Sequence, residues 1–137
     1  MAKFGNQSIQ HLLTCHADLK LILTESISIY DFSVLCGYRP KVEQERLFQE
    51  CKTQVRYPDS KHNRTPSHAV DVAPYPINWK DKGRFMFLAG VINTVAYRLL
   101  EEGLITHKIR WGGDWNCNGN FKDQTFFDLP HFELIKA

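Results

Sequence analysis

Ser60-Lys-His-Asn-Arg-Thr-Pro-Ser-His-Ala-Val-Asp-Val-Ala-Pro74 runs from a polar loop into an apolar strand, and its reading decides the fold. Residues 53–67 carry Pro58, Asn63 and Pro66 and read as loop. From Ala69 to Pro74 the pattern changes: Val70 and Val72 face one way, and Ala69, Asp71 and Ala73 face the other. The valines mark a buried strand, and a buried aspartate between two alanines needs a cation or hydrogen-bond donors. Near the C-terminus, Asp128-Leu-Pro-His131 answers this stretch with a second carboxylate and a second histidine. Two histidines and one aspartate form a three-ligand set with a position open for water, the arrangement of a catalytic zinc. A further acidic group beside them is what a zinc hydrolase needs to take the water proton.

Two histidines compete for the first ligand position. His68 lies three residues before Asp71, on the opposite strand face once pairing has begun, whereas His62 sits in the loop and can approach freely. His62 is the preferred candidate and His68 the alternative. Asp128 and His131 would point apart in a regular strand, so Leu129-Pro130 must supply a bend that lets both converge.

Working outward, Ile9, Leu12, Leu13, Leu19, Ile22 and Leu23 recur at helical spacing and predict a helix over 8–28, with His16 on the same stripe. Residues 31–37 predict a short strand ending at Gly37, and Tyr38-Arg-Pro40 a turn that leaves Arg39 at a strand end. A short polar helix over 41–51 should turn Val42, Leu47 and Phe48 inward. Arg84 to Glu102 reads as the longest helix, burying Phe87, Leu88, Val91, Ile92, Val95, Leu99 and Leu100 and stopped by Gly103, with Trp79 before it as a lid over the core. Residues 108–111 predict a strand, 112–120 a Gly/Asn/Asp-rich loop, and 131–135 a closing strand with His131, Glu133 and Ile135 on one face. Asp114 in that loop has the chemistry to bind a hard cation, although such loops are more often turns.

The 137 residues suit one domain, 1–137, with 43% hydrophobic and 23% charged residues. A net charge of +2 and the lack of a basic stripe argue against nucleic acid. No stretch is long enough to span a bilayer, and the N-terminus lacks the apolar run of a signal peptide. Cys15, Cys36, Cys51 and Cys117 fall at no metal or redox spacing and suit buried free thiols in a reducing compartment.

Four short motifs, in order, carry a resemblance. Gly37-Tyr-Arg39 with Gln44, Ser60-Lys-His62 leading to Ala69-Val-Asp71, Gly112-Gly-Asp-Trp115 and Asp128-Leu-Pro-His131 together resemble the zinc peptidases that cut bacterial peptidoglycan stem peptides. These are the VanY-type D,D-carboxypeptidases and the L-alanyl-D-glutamate endopeptidases of tailed phages, and the likeness runs from about residue 30 to the C-terminus. The interval from His62 to Asp71 is two residues longer than the family's usual spacing, with His68 as an extra histidine inside it. The resemblance implies an α+β fold, a small antiparallel sheet with packed helices of the hedgehog/D,D-peptidase type. It implies zinc held by His62, Asp71 and His131, Asp128 as general base, Arg39 at the scissile carbonyl or a substrate carboxylate, and Gln44 and Ser60 toward substrate. It further implies a monomeric phage endolysin acting on peptidoglycan at the L-alanyl-D-glutamate bond. Such an enzyme would be made in the host cytoplasm and reach the wall through a separate lysis pore. A D,D-carboxypeptidase that trims terminal D-alanine, and a non-catalytic wall-binding zinc domain, are the alternatives.

Overall fold

The computed structural model describes residues 2–137. Four helices, α1 (Asn6–Leu12), α2 (Ala17–Ile27), α3 (Lys41–Gln49) and α4 (Lys82–Glu101), accompany four strands, β1 (Phe32–Cys36), β2 (Ala69–Pro74), β3 (His107–Gly112) and β4 (Asp128–Lys136). The strands form one antiparallel sheet in the order β1-β2-β4-β3. Among the described residues no helix is long and apolar enough to cross a membrane.

The two faces of β2 separate as the alternation predicts. Val70 and Val72 join Val34, Phe132 and Leu134 beneath Leu19, Ile22 and Leu23 of α2 and Leu88, Ile92 and Leu99 of α4, all buried. Asp71 points to the other face, directly across the ladder from His131, while Arg110 of β3 lies opposite Glu133 of β4. The core thus fixes the sheet from one side and leaves the polar residues of the central strands on the other.

Several expectations need correction. The single helix over 8–28 is two helices, broken at residues 13–16. The Thr14 carbonyl accepts from the Ser67 amide, the His16 amide donates to the Ser67 carbonyl, and His16 Nδ1 caps α2 by accepting from the Asp18 amide at 2.9 Å. Val42 faces solvent, and the only buried residue of α3 is Gln44. Phe87 is also exposed; α4 buries Phe85, Ala89 and Ala96 instead. Trp79 is no lid over the core but stands exposed, stacked on Phe85. Of the four free cysteines only Cys15 is buried, while Cys51 and Cys117 are exposed.

The bend in the last motif has a clear form. Trp111 pairs with Phe132, yet the next residue of β3, Gly112, pairs with Asp128. Leu129, Pro130 and His131 are accommodated within one step of the ladder. This bulge brings a carboxylate oxygen of Asp128 to 3.9 Å from His131 Nδ1, although the two residues are three apart in sequence.

Candidate active site

His62, Asp71 and His131 converge on the open face of the sheet. His62 enters from a single 3-10 turn, Lys61–Asn63, whose amide at His62 donates to the Ser60 hydroxyl. The distances are 3.2 Å from His62 Nε2 to Asp71 Oδ1, 3.3 Å from His131 Nδ1 to the same oxygen, and 3.3 Å between the two ring nitrogens. His68 is not part of this group. Its ring lies on the other side of the strand, packed edge-on against His16 and His107.

The far nitrogen of each ring determines which atom faces the centre. His62 Nδ1–H donates to the Gly37 carbonyl at 2.7 Å, which leaves Nε2 turned inward. His131 Nε2–H donates to Glu133 Oε1 at 2.8 Å, which leaves Nδ1 inward. Carboxylates and carbonyls in this outer position orient metal-binding imidazoles and raise their basicity. Glu133 is itself held by Arg110 at 2.6 Å. Its role was open to sequence reading, since Glu133 shares a strand face with His131.

Electrostatics follow from this crowding. Burial alone would lower the His62 pKa, but the Asp71 carboxylate outweighs it and raises the group to about 10. His131 is raised in the same way, burial being outweighed by Asp71 and Glu133. Asp71, pushed up by burial, is nevertheless held well below the usual carboxylate range by the two imidazoles. Asp128 behaves oppositely: burial and the neighbouring Asp71 charge both lift it above its ordinary value. The set of two imidazole nitrogens and a carboxylate oxygen, with both rings oriented from behind, fits zinc. The negative charge that makes the rings retain protons is the charge that would attract a cation.

Arg39 lines the cleft, as its motif implies, but Gln44 does not. Arg39 Nη2 donates to Asp71 Oδ2 at 3.2 Å, and Nη1 donates to Gln44 Oε1 at 3.1 Å. Gln44 is fully buried and donates to the Val55 carbonyl, so it holds Arg39 from behind and does not face the cleft. Ser60 caps the turn that carries His62 and lies at the edge of the cleft. Asp114 accepts from the amides of Asn118 and Gly119 and so closes the turn of its own loop.

A cleft of about 560 Å³ opens in front of these groups, lined by Arg39, Arg110, Trp115, Phe126 and Asp128 besides the central three. Trp115 and Phe126 stack at 6.1 Å between ring centres and form one wall, with Trp115 also lying 5.6 Å from the His131 ring. Arg110 sits over Trp115, and its Nε is buried with no hydrogen-bond partner among the described residues.

A family model described as phage L-alanyl-D-glutamate peptidase matches residues 1–135. The chain belongs to this family. It is a peptidase of the peptidoglycan-hydrolysing, phage-endolysin kind, as the four motifs implied. The match begins at the N-terminus, so α1 and α2 belong to the family unit as much as the motif-bearing residues do. Among solved structures, an L-Ala D-Glu endopeptidase of Serratia marcescens, ChiX, superposes with a TM-score of 0.74 at 23% identity, covering 98% of this chain and 91% of that one. At that identity the likeness establishes the fold, α+β with a small antiparallel sheet. No curated protein sequence matches the chain.

Proposed function

We propose that this peptidase is a zinc enzyme that cuts the L-alanyl-D-glutamate bond of peptidoglycan stem peptides, with His62 Nε2, Asp71 Oδ1 and His131 Nδ1 as ligands. The observation that carries the proposal is the meeting of three metal-ligating atoms within 3.3 Å, each ring turned inward by a hydrogen bond on its far side. When bound, zinc would lower the pKa of a water to roughly 7 and polarise the scissile carbonyl.

The protein residues divide the remaining work. Asp128, half-exposed at the cleft and with a raised pKa, is placed to accept the proton from the attacking water and to return it to the leaving amine. Arg39 fixes Asp71 by taking its outer oxygen, and Gln44 and Asn63 in turn hold Arg39. Glu133 fixes His131. Arg110, paired with Glu133 but a third exposed along the cleft, is the better-placed cation for a substrate carboxylate than Arg39, which is nearly buried against Asp71. The D-glutamate side of the bond carries such a carboxylate, so Arg110 suits the product that leaves with a new amino group.

Mass spectrometry of digested peptidoglycan tests the reading. New N-terminal D-glutamate, dependent on added zinc after chelation, is the expected result. Release of free D-alanine alone would replace the endopeptidase with a carboxypeptidase.

A further inference from the structure

A second cleft, of about 480 Å³, lies beside the first and shares Asp128 with it. Its lining differs in chemistry. Trp79, Phe121 and Phe127 are 57%, 40% and 47% exposed, unusual openness for three large aromatic rings around one hollow. Met86, Leu129 and Pro130 add further apolar lining, and apart from Asp128 the only ionisable group among the described lining residues is Lys82. Trp79 is also held in a fixed orientation: its ring stacks on buried Phe85 at 5.6 Å and 23°, which steadies one face and leaves the indole presented to solvent. Phe121 is steadied likewise by an edge contact with Trp111 at 5.6 Å.

The two clefts therefore offer different environments on either side of the proton-transferring carboxylate. One is densely charged, with Arg39 and Arg110 set among carboxylates; the other is aromatic and nearly uncharged. The substrate has the same asymmetry. On the D-glutamate side of the scissile bond the peptide carries carboxylates. On the other side there is one L-alanine, and its amino group is joined through a lactyl unit to a muramic acid ring of the sugar strand. Two extended units span roughly 7 Å, so the sugar must lie immediately next to the reacting bond. Pyranose rings present flat C–H faces that pack on indole and phenyl rings by dispersion and burial of apolar area.

From this juxtaposition we infer that the Trp79–Phe121–Phe127 cleft is a subsite for the glycan strand, binding the muramic acid residue whose stem peptide is being cut. The inference rests on the L-alanyl-D-glutamate reading of the site. It gives the substrate a direction: sugar in the aromatic cleft, L-alanine past Asp128, and D-glutamate toward Arg110. It also makes the enzyme selective for stems still attached to sugar over peptides already released.

The experiment compares two substrates, the free stem tetrapeptide and the same stem on its N-acetylglucosaminyl-N-acetylmuramic acid disaccharide. The wild type should cut the disaccharide-linked stem with the higher kcat/KM. Trp79→Ala should lose roughly tenfold in kcat/KM on that substrate, mainly through KM, while its rate on the free peptide is unchanged. Trp79→Phe should recover most of the loss, and Phe121→Ala, on a different segment, should repeat the pattern. Equal losses on both substrates, or no wild-type preference for the sugar-linked stem, would overturn the subsite. A wild type that cuts neither substrate between L-alanine and D-glutamate would overturn the parent reading, and the subsite with it.

Discussion

Around Asp71 and around Asp18 the chain builds two histidine clusters that look alike in composition and differ in hydrogen bonding. Asp18 Oδ2 accepts from the amides of Thr106 and His107 and from His107 Nδ1, at 3.0, 3.2 and 2.8 Å, while His16 Nδ1 accepts from the Asp18 amide. Donors and acceptors are matched there, and the cluster ties the start of α2 to the start of β3. At Asp71 the far ring N–H groups are already given to Gly37 and Glu133, so the nitrogens that face the carboxylate hold only the extra proton of an imidazolium, which a metal ion can replace. Residue type and proximity do not distinguish a metal centre from a structural knot. What distinguishes them is where the protons have gone.

The sharpest way to break this comparison is to remove a residue from each side. Asp71→Ala or His131→Ala should abolish both zinc binding and activity, as read by elemental analysis and turnover; full metal occupancy in both variants would dissolve the centre. His62→Ala should do the same while His68→Ala, beside the second cluster, keeps metal and rate. The reverse pair of results would exchange the two clusters' roles.

Asp128→Ala comes next in size. It should fold and bind zinc yet lose ~10²–10⁴-fold in kcat, the scale of a general base. Near-normal turnover would remove Asp128 from the chemistry. Glu133→Gln should cost about 10–100-fold in metal affinity or activity, since the amide orients His131 less firmly than the carboxylate does. An unchanged zinc dissociation constant would show that the ring is held without it.

Protons offer a finer probe. The His62 pKa, raised to about 10, means that metal must displace a proton from this ring at neutral pH, and the upward shift of His131 acts in the same direction. Zinc affinity should therefore climb with pH, by about tenfold per unit for each proton displaced. Calorimetry in buffers of different ionisation enthalpy would report that proton release directly, and a pH-independent affinity would contradict it. The Asp18 cluster should respond with the opposite readout. Burial pushes Asp18 up, but hydrogen bonds from His107 and Thr106 more than offset this and hold it below its ordinary 3.8. Its contribution is present above that value and is lost as pH falls below it. Asp18→Asn should lower unfolding stability by roughly 1–3 kcal/mol near neutral pH, with zinc content and kcat unchanged.

What the sequence makes legible follows from the range of each interaction. The alternation in Ala69–Pro74 is local, so it places Asp71 on the open face. Leu129-Pro130 shows that a bend is needed, though the register jump at Gly112 depends on the partner strand. The helix break at residues 13–16 leaves no trace in the apolar spacing, because it is made by Ser67, more than fifty residues away in sequence. Val42 and Phe87 misled for a related reason: helical spacing marks an apolar stripe but not the width of the surface that covers it. Gln44 stands in a motif beside Arg39, and only the fold shows that it supports the arginine from behind.

Gly37 gives the N-terminal segment a part in the proposed metal centre. A Cβ at this position would collide with Thr14 Oγ1 and the His11 carbonyl, so the backbone is pressed flat against the end of α1. The carbonyl on that flattened backbone is the one that orients His62. The turn after α1 thus acts as an anvil behind the proposed first ligand, itself braced by Thr14 Oγ1 accepting from the Tyr38 amide and by Ser67 donating to the same Gly37 carbonyl. Trimming the chain to its motif-bearing part would keep every ligand and take away the surface that one of them is pushed from. A shortened version of this enzyme should therefore fail first as a metal binder, before it fails as a catalyst.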